Sequence, residues 1–155
     1  MTAIDKLDRS RRKALAGLGA LLLVPVGPAC ATPEKMAAAI DAFTGAATPR
    51  RGGITLEVAS LVDNGNTVPI TVRVDSPMTA IDHVAAIAVF NERNPETGVA
   101  VFTLGARAGK AEVSTRIRMA TSQKLVAVAR MSDGSFRIHS ADVVVALAAC
   151  IEGEA

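Results

Sequence analysis

The sequence predicts an all-β sandwich of about seven to eight short strands behind one short N-terminal helix. Three observations predict it. From Ile54 onward apolar and polar residues alternate, the period of a strand with one buried face. Turn-forming clusters separate the alternating runs, notably Asp63-Asn64-Gly65-Asn66 and Ser132-Asp133-Gly134, both of the hairpin type. The apolar residues are chiefly Val, Ile, Leu and Ala, with four Phe and no Trp or Tyr. Such side chains build a thin core that leaves little stability to spare.

Thr32-Pro33-Glu34 reads as a helix start, with Thr as N-cap, Pro at the first helical position and an acid in the first turn. Met36, Ile40 and Phe43 give that helix one apolar face and Gly45 ends it. Residues 48–53 read as a loop. Ile54, Leu56 and Val58 form one alternating set; Val68, Ile70, Val72 and Val74 form the next, with a turn at 63–66 between them. Pro69 inside the second run predicts an edge strand or a bulge. Further strands are expected at 84–91, 99–104, 111–118, 124–131, 135–139 and 142–148. Within 111–118, Ala111, Val113, Thr115 and Ile117 face one way, whereas Glu112, Ser114, Arg116 and Arg118 form a polar, solvated face. With no internal repeat and no low-complexity linker, a single mature domain is expected.

The first 31 residues have the order of an export signal. Ser10-Arg11-Arg12-Lys13 is a twin-arginine pair, residues 14–26 are apolar, and Ala29-Cys30-Ala31 is a small-residue cleavage site. The apolar run is shorter than the roughly 20 residues a membrane span needs, which disfavours a retained anchor. Gly27 and Pro28 disfavour lipidation of Cys30. The expected division is therefore a signal at 1–31, a sandwich domain at 32–147 and a C-terminal arm at 148–155, with a periplasmic address. The signal holds five of the 17 basic and two of the 15 acidic residues, so 12 and 13 remain and the mature net charge is −1. No basic surface is left to suggest nucleic acid.

The residues give little support to an enzyme. The two histidines, His83 and His139, read as surface or strand-end residues. A copper site on a sandwich would need a histidine just after its cysteine, and none follows Cys150. A Cys150–His139–Asp142 hydrolase would need a rigid nucleophile, and a terminal tail is the wrong platform. Ser114, Ser132, Ser135 and Ser140 lack the spacing of a nucleophile elbow, and Gly52-Gly53 is not followed by a phosphate-binding helix. No catalytic residue, cofactor or metal ligand is expected.

What remains is Cys150, the one cysteine left after export. It sits on a short tail beyond an apolar strand, where a thiol is accessible and can reach into a partner. A single unpaired thiol in the periplasm points to intermolecular pairing or to deliberate reactivity. Glu152, Glu154 and the terminal carboxylate each cost its thiolate about 0.5 kcal/mol at 8 Å in water, so they raise its pKa. Cys150 therefore suits loading by another protein's active site better than self-activated attack.

Several segments together are similar to the SoxY family, the sulfur-substrate carriers of periplasmic thiosulfate oxidation. They are Asp63-Asn64-Gly65-Asn66-Thr67-Val68-Pro69, Val74-Asp75-Ser76-Pro77-Met78, Asn94-Pro95, the run from Gly109 to Arg118, and Met131-Ser132-Asp133-Gly134-Ser135. The resemblance covers the whole mature chain. It implies an immunoglobulin-like sandwich in a heterodimer with a SoxZ-like subunit. It also implies that Cys150 holds substrate covalently. By the same resemblance the haem enzyme SoxAX loads thiosulfate, the metal-dependent hydrolase SoxB releases sulfate, and a molybdenum-haem sulfane dehydrogenase oxidises the remaining sulfur. The tail departs from the family's Gly-Gly-Cys-Gly-Gly: here Ala148-Ala149 and Ile151-Glu152 flank the cysteine. The competing expectation is a divergent SoxY-like binding or structural sandwich whose tail cysteine forms a disulfide.

Overall fold

Thr32 caps the helix that opens the fold. The computed structural model describes residues 31–147; the twin-arginine segment, Cys30 and the arm with Cys150 lie outside the described residues. The Thr32 side chain accepts from the Lys35 amide at 3.3 Å, Pro33 begins helix α1 (Pro33–Thr44), and Gly45 closes it in the left-handed region at φ 63°. A hydrogen bond from Thr32 holds the Glu34 carboxyl below its ordinary range. Among the described residues, no helix is long and apolar enough to cross a membrane.

Nine strands follow among the described residues: β1 (Arg50–Arg51), β2 (Ile54–Glu57), β3 (Leu61–Asn64), β4 (Val68–Val74), β5 (Val84–Asn91), β6 (Gly98–Thr103), β7 (Glu112–Ile117), β8 (Gln123–Met131) and β9 (Phe136–Leu147). They form two sheets. The larger runs β1-β9-β8-β5-β6, with β3 also paired to β9; the smaller runs β2-β4-β7. This is the expected all-β sandwich.

Alternation sorts the side chains. Val84, Ile87, Val89, Leu125, Ala127, Ala129 and Val143 of the larger sheet face Ile54, Leu56, Ile70, Val72 and Ile117 of the smaller one. The larger sheet also buries part of its other face. There Met36, Ile40 and Phe43 of α1 cover Ala88, Phe90, Val126, Val128 and Phe136. Phe43 meets Phe90 and Phe136 edge-on, with centroids 6.1 and 6.0 Å apart. Burial on both faces explains why β5 and β8 read as nearly unbroken apolar runs.

The outer face of the smaller sheet is polar, as the alternation of β7 predicts. Arg73 of the central strand pairs with Glu57 on one neighbour and with Glu112 on the other, the latter at 3.0 Å. The Glu112 hydrogen bond, then the Glu57 charge, hold the guanidinium above its ordinary value. Thr71 and Ser114 share a hydrogen bond at 2.8 Å beside them.

Four details differ from the sequence reading. Residues 50–51, read as loop, form β1, and Leu61–Asn64, half of it read as turn, forms β3; both lie parallel to β9. The connection from β2 to β4 is therefore not a hairpin, although the two strands pair antiparallel. The chain leaves the smaller sheet to lay β3 on the edge of the larger one, and only then turns at 65–67. The strands expected at 135–139 and 142–148 are one continuous β9, because its ladder with β8 runs unbroken from Arg130↔Phe136 to Gln123↔Val143. Polar residues run through the middle of this strand: His139 points into the sandwich and takes the Leu56 amide, whereas Ser140 and Asp142 are exposed on the other face. Pro69 stands in the central strand of its sheet yet at a local edge, as the proline predicts. It is tolerated because β2 ends opposite Thr71, so β4 has a neighbour on one side only at that level.

Candidate functional site

Strand β9 ends at Leu147, three residues before Cys150 in the sequence. The pairing of β8 with β9 ends at Gln123↔Val143, so residues 144–147 outrun the strand that supports the rest of β9. On their other side β3 continues, in register Leu61↔Val144 to Asn64↔Leu147. The Val144 amide donates to Ser60 O and the Gly65 amide to Leu147 O, both at 2.9 Å. Where β8 is missing, one side chain takes its place: Ser122 Oγ accepts the Val145 amide at 2.9 Å. Leu61, Val144 and Leu147 leave an apolar rim here, 63%, 55% and 68% exposed.

The turns around this root are fixed by buried and half-buried side-chain amides. Asn94 Oδ1 accepts from the Ala120 amide at 2.9 Å and from Gln123 Nε2 at 2.7 Å, and its Nδ2 donates to Arg118 O at 2.8 Å. Gln123 Oε1 accepts the Arg93 amide at 2.8 Å, and Asn91 Oδ1 accepts the Asn94 amide at 2.9 Å. Asn91 and Gln123 are among the few buried polar residues, and a buried amide is tolerated when it is fully partnered. The Met119 amide then donates to Gly65 O at 2.8 Å, and the Ala31 amide to Asn94 O at 2.9 Å. Residues 31, 65, 94, 119 and 147 thus meet at one end of the sandwich. The sequence reading took Asn64-Gly65-Asn66 as part of a turn and quoted Asn94-Pro95, but placed neither at the site. A polar pair, Asn91 and Gln123, at the ends of apolar strands was the available signal.

The other candidates are structural. His139 points inward and its Nδ1 accepts the Leu56 amide at 3.1 Å. Asp142, three residues on, points to the opposite face, 84% exposed and 3.8 Å from Lys124, so it cannot orient His139 for catalysis. His83 Nδ1 lies 3.1 Å from Thr79 O, and the His83 amide donates to Ser132 Oγ at 3.1 Å. Ser132 Oγ in turn donates to Ile81 O, and Ser114 meets Thr71. Ser135 gives its amide to Asp133, and Ser140 is exposed beside a cleft lined by Arg51, Gly52, Ile138 and His139. Among the described residues no three His, Cys, Asp or Glu side chains gather as metal ligands.

A family model described as sulfur oxidation protein SoxY matches residues 40–150. The chain belongs to the SoxY family. Among solved structures it is similar to the sulfur carrier protein SoxY from Chlorobium limicola f thiosulfatophilum, with 29% identity over 72% of this chain and 92% of that one, at a TM-score of 0.61. It also shares its fold with the superoxide reductase (neelaredoxin) of Ignicoccus hospitalis, with 14% identity over 77% and 98% of the two chains and a TM-score of 0.55. A putative superoxide reductase of Thermotoga maritima gives 19%, 66%, 89% and 0.54. At those identities the likeness is one of fold alone. No curated protein matches the chain. The SoxY match ends on Cys150, three residues past the root described above.

Proposed function

We propose that this chain is a periplasmic sulfur carrier that holds thiosulfate-derived intermediates on Cys150 and presents them to separate enzymes. The match to the SoxY family, which runs to Cys150 itself, carries this reading. The fold supports it: the sandwich ends in a strand whose continuation in the sequence bears the thiol, and His83, His139, Ser114, Ser132 and Ser135 are engaged in hydrogen bonds of the scaffold. Export through the twin-arginine route and division at about residue 31 belong to the same proposal.

The chemistry needs no base from the carrier. In loading, the Cys150 thiolate and thiosulfate join through a new S–S bond and give up two electrons to a haem enzyme of the SoxAX kind. The product is a cysteine S-thiosulfonate. A SoxB-like hydrolase then adds water across the terminal S–S bond, releasing sulfate and two protons and leaving a persulfide on Cys150. A sulfane dehydrogenase oxidises that remaining sulfur, and a SoxZ-like subunit accompanies the carrier throughout. The Cys150 thiolate is the reacting species. The test is genetic: in a thiosulfate-oxidising host lacking its own copy, the parent gene restores thiosulfate-dependent oxygen uptake and Cys150→Ser does not. Equal uptake from both would end the proposal.

A further inference from the structure

The root of the arm is built in a way the ladder alone does not require. Strand β8 stops supporting β9 at Val143. Were β9 to fray from there, seven residues would separate Cys150 from the last fixed position, a reach of about 23–25 Å; from Leu147 only three do, a reach of about 10–11 Å. The difference rests on two supports. One is β3, held through Gly65, whose amide donates to Leu147 O and whose carbonyl accepts the Met119 amide. The other is Ser122 Oγ on the Val145 amide. Ser122 is in turn placed by the 118–123 turn, which Asn94 clamps through Arg118 O, the Ala120 amide and Gln123 Nε2.

We infer that Ser122, set by Asn94, is a positioning residue that fixes β9 as far as Leu147 and so sets how many residues separate Cys150 from the sandwich. This inference rests on the carrier reading. Its consequence is that an enzyme acting on Cys150 must come within about 10 Å of this end of the sandwich. The turns at 64–67, 91–97 and 118–122 then form the ground on which that enzyme sits. A fixed root concentrates the thiol where the enzyme meets it, and a frayed one spreads it over a larger volume.

The experiment compares Ser122→Ala and Ser122→Thr with the parent in the full chain, with Cys30→Ser throughout so that one thiol remains. Amide exchange at Val145 should rise about five- to tenfold in S122A, as the loss of one neutral hydrogen bond supplies. A spin label on Cys150 should become more mobile. The KM for the carrier as substrate of a thiosulfate-loading enzyme should rise by a similar factor with kcat little changed. S122T, which keeps the hydroxyl, should restore all three. Alkylation of the thiol by iodoacetamide should stay the same, because the small reagent needs no docking. Unchanged Val145 exchange in S122A would overturn the clamp. Faster exchange with an unchanged KM would overturn the positioning role. A parent chain that is never loaded would overturn the carrier reading and the positioning role with it, while the exchange and label measurements would still report on the clamp.

Discussion

The main-chain amide of Leu56 donates to Nδ1 of His139 at 3.1 Å, and this bond ties the edge of the smaller sheet to the longest strand of the larger one. Leu56 is buried, so losing the acceptor leaves an amide without a partner inside the sandwich. His139→Ala should lower stability by about 1–3 kcal/mol in urea denaturation. The folded variant should still load sulfur on Cys150 at the parent's rate. A stable His139→Ala protein that fails to load would instead place His139 in the chemistry.

Asn94 carries a larger share of stability. Asn94→Ala strips the acceptor from the Ala120 amide and Gln123 Nε2, and the donor from Arg118 O. With more than one group left unpaired, a loss of about 2–4 kcal/mol is expected by urea denaturation. A change below about 0.5 kcal/mol, the level of an ordinary surface substitution, would mean that water replaces the network at no cost.

Much of this fold is legible in the sequence because its signals are local. Thr32, Pro33 and Gly45 mark the helix by their own backbone chemistry, and the alternation of β2, β4 and β7 reports one buried face directly. The misread parts depend on distant partners. Arg50–Arg51 and Leu61–Asn64 are strands only because β9 offers its edge, and a parallel pairing leaves no turn signal between partners. The 63–66 cluster does hold a turn, at 65–67, but it joins strands of different sheets. His139, Ser140 and Asp142 are polar for reasons of packing and not of backbone propensity: His139 takes the Leu56 amide inside the sandwich, and Ser140 and Asp142 are exposed on the other face. At the site, the sequence alone nominates Cys150, from its position and neighbours. The Ser122–Val145 support is not legible there, because a serine in the turn before a strand has no pattern of its own.

The Asp133 carboxylate closes the β8–β9 hairpin. Its hydrogen bonds to Ser135, side chain and backbone, hold it below the ordinary aspartate value of 3.8, with a smaller contribution from Arg137. A carboxylate depressed in the folded state adds stability that is fully present above its unfolded pKa and is lost as pH falls through the folded one. The stability difference between the parent and Asp133→Ala should therefore be constant from pH 5 to 7 and shrink below about pH 4. A difference that grows on acidification would contradict the assignment.

The tail flanking Cys150 is bulkier than a glycine arm and carries Glu152 and Glu154. Replacing residues 148–155 by a Gly-Gly-Cys-Gly-Gly ending should lower the thiol pKa and ease entry into a narrow channel. Loading by a thiosulfate-oxidising enzyme should speed up by about threefold or more, as removing nearby like charges at a fraction of a kcal/mol each allows. No gain in loading would show that this chain's enzymes accept the bulkier tail as it stands.

The most direct test is peptide mass mapping of the carrier recovered from cells oxidising thiosulfate, with the peptide containing Cys150 read for its modification. The expected spectrum shows thiosulfonate and persulfide on Cys150, both absent from Cys150→Ser protein. A peptide found only as free thiol or as a disulfide between two copies would contradict the role of covalent sulfur carrier.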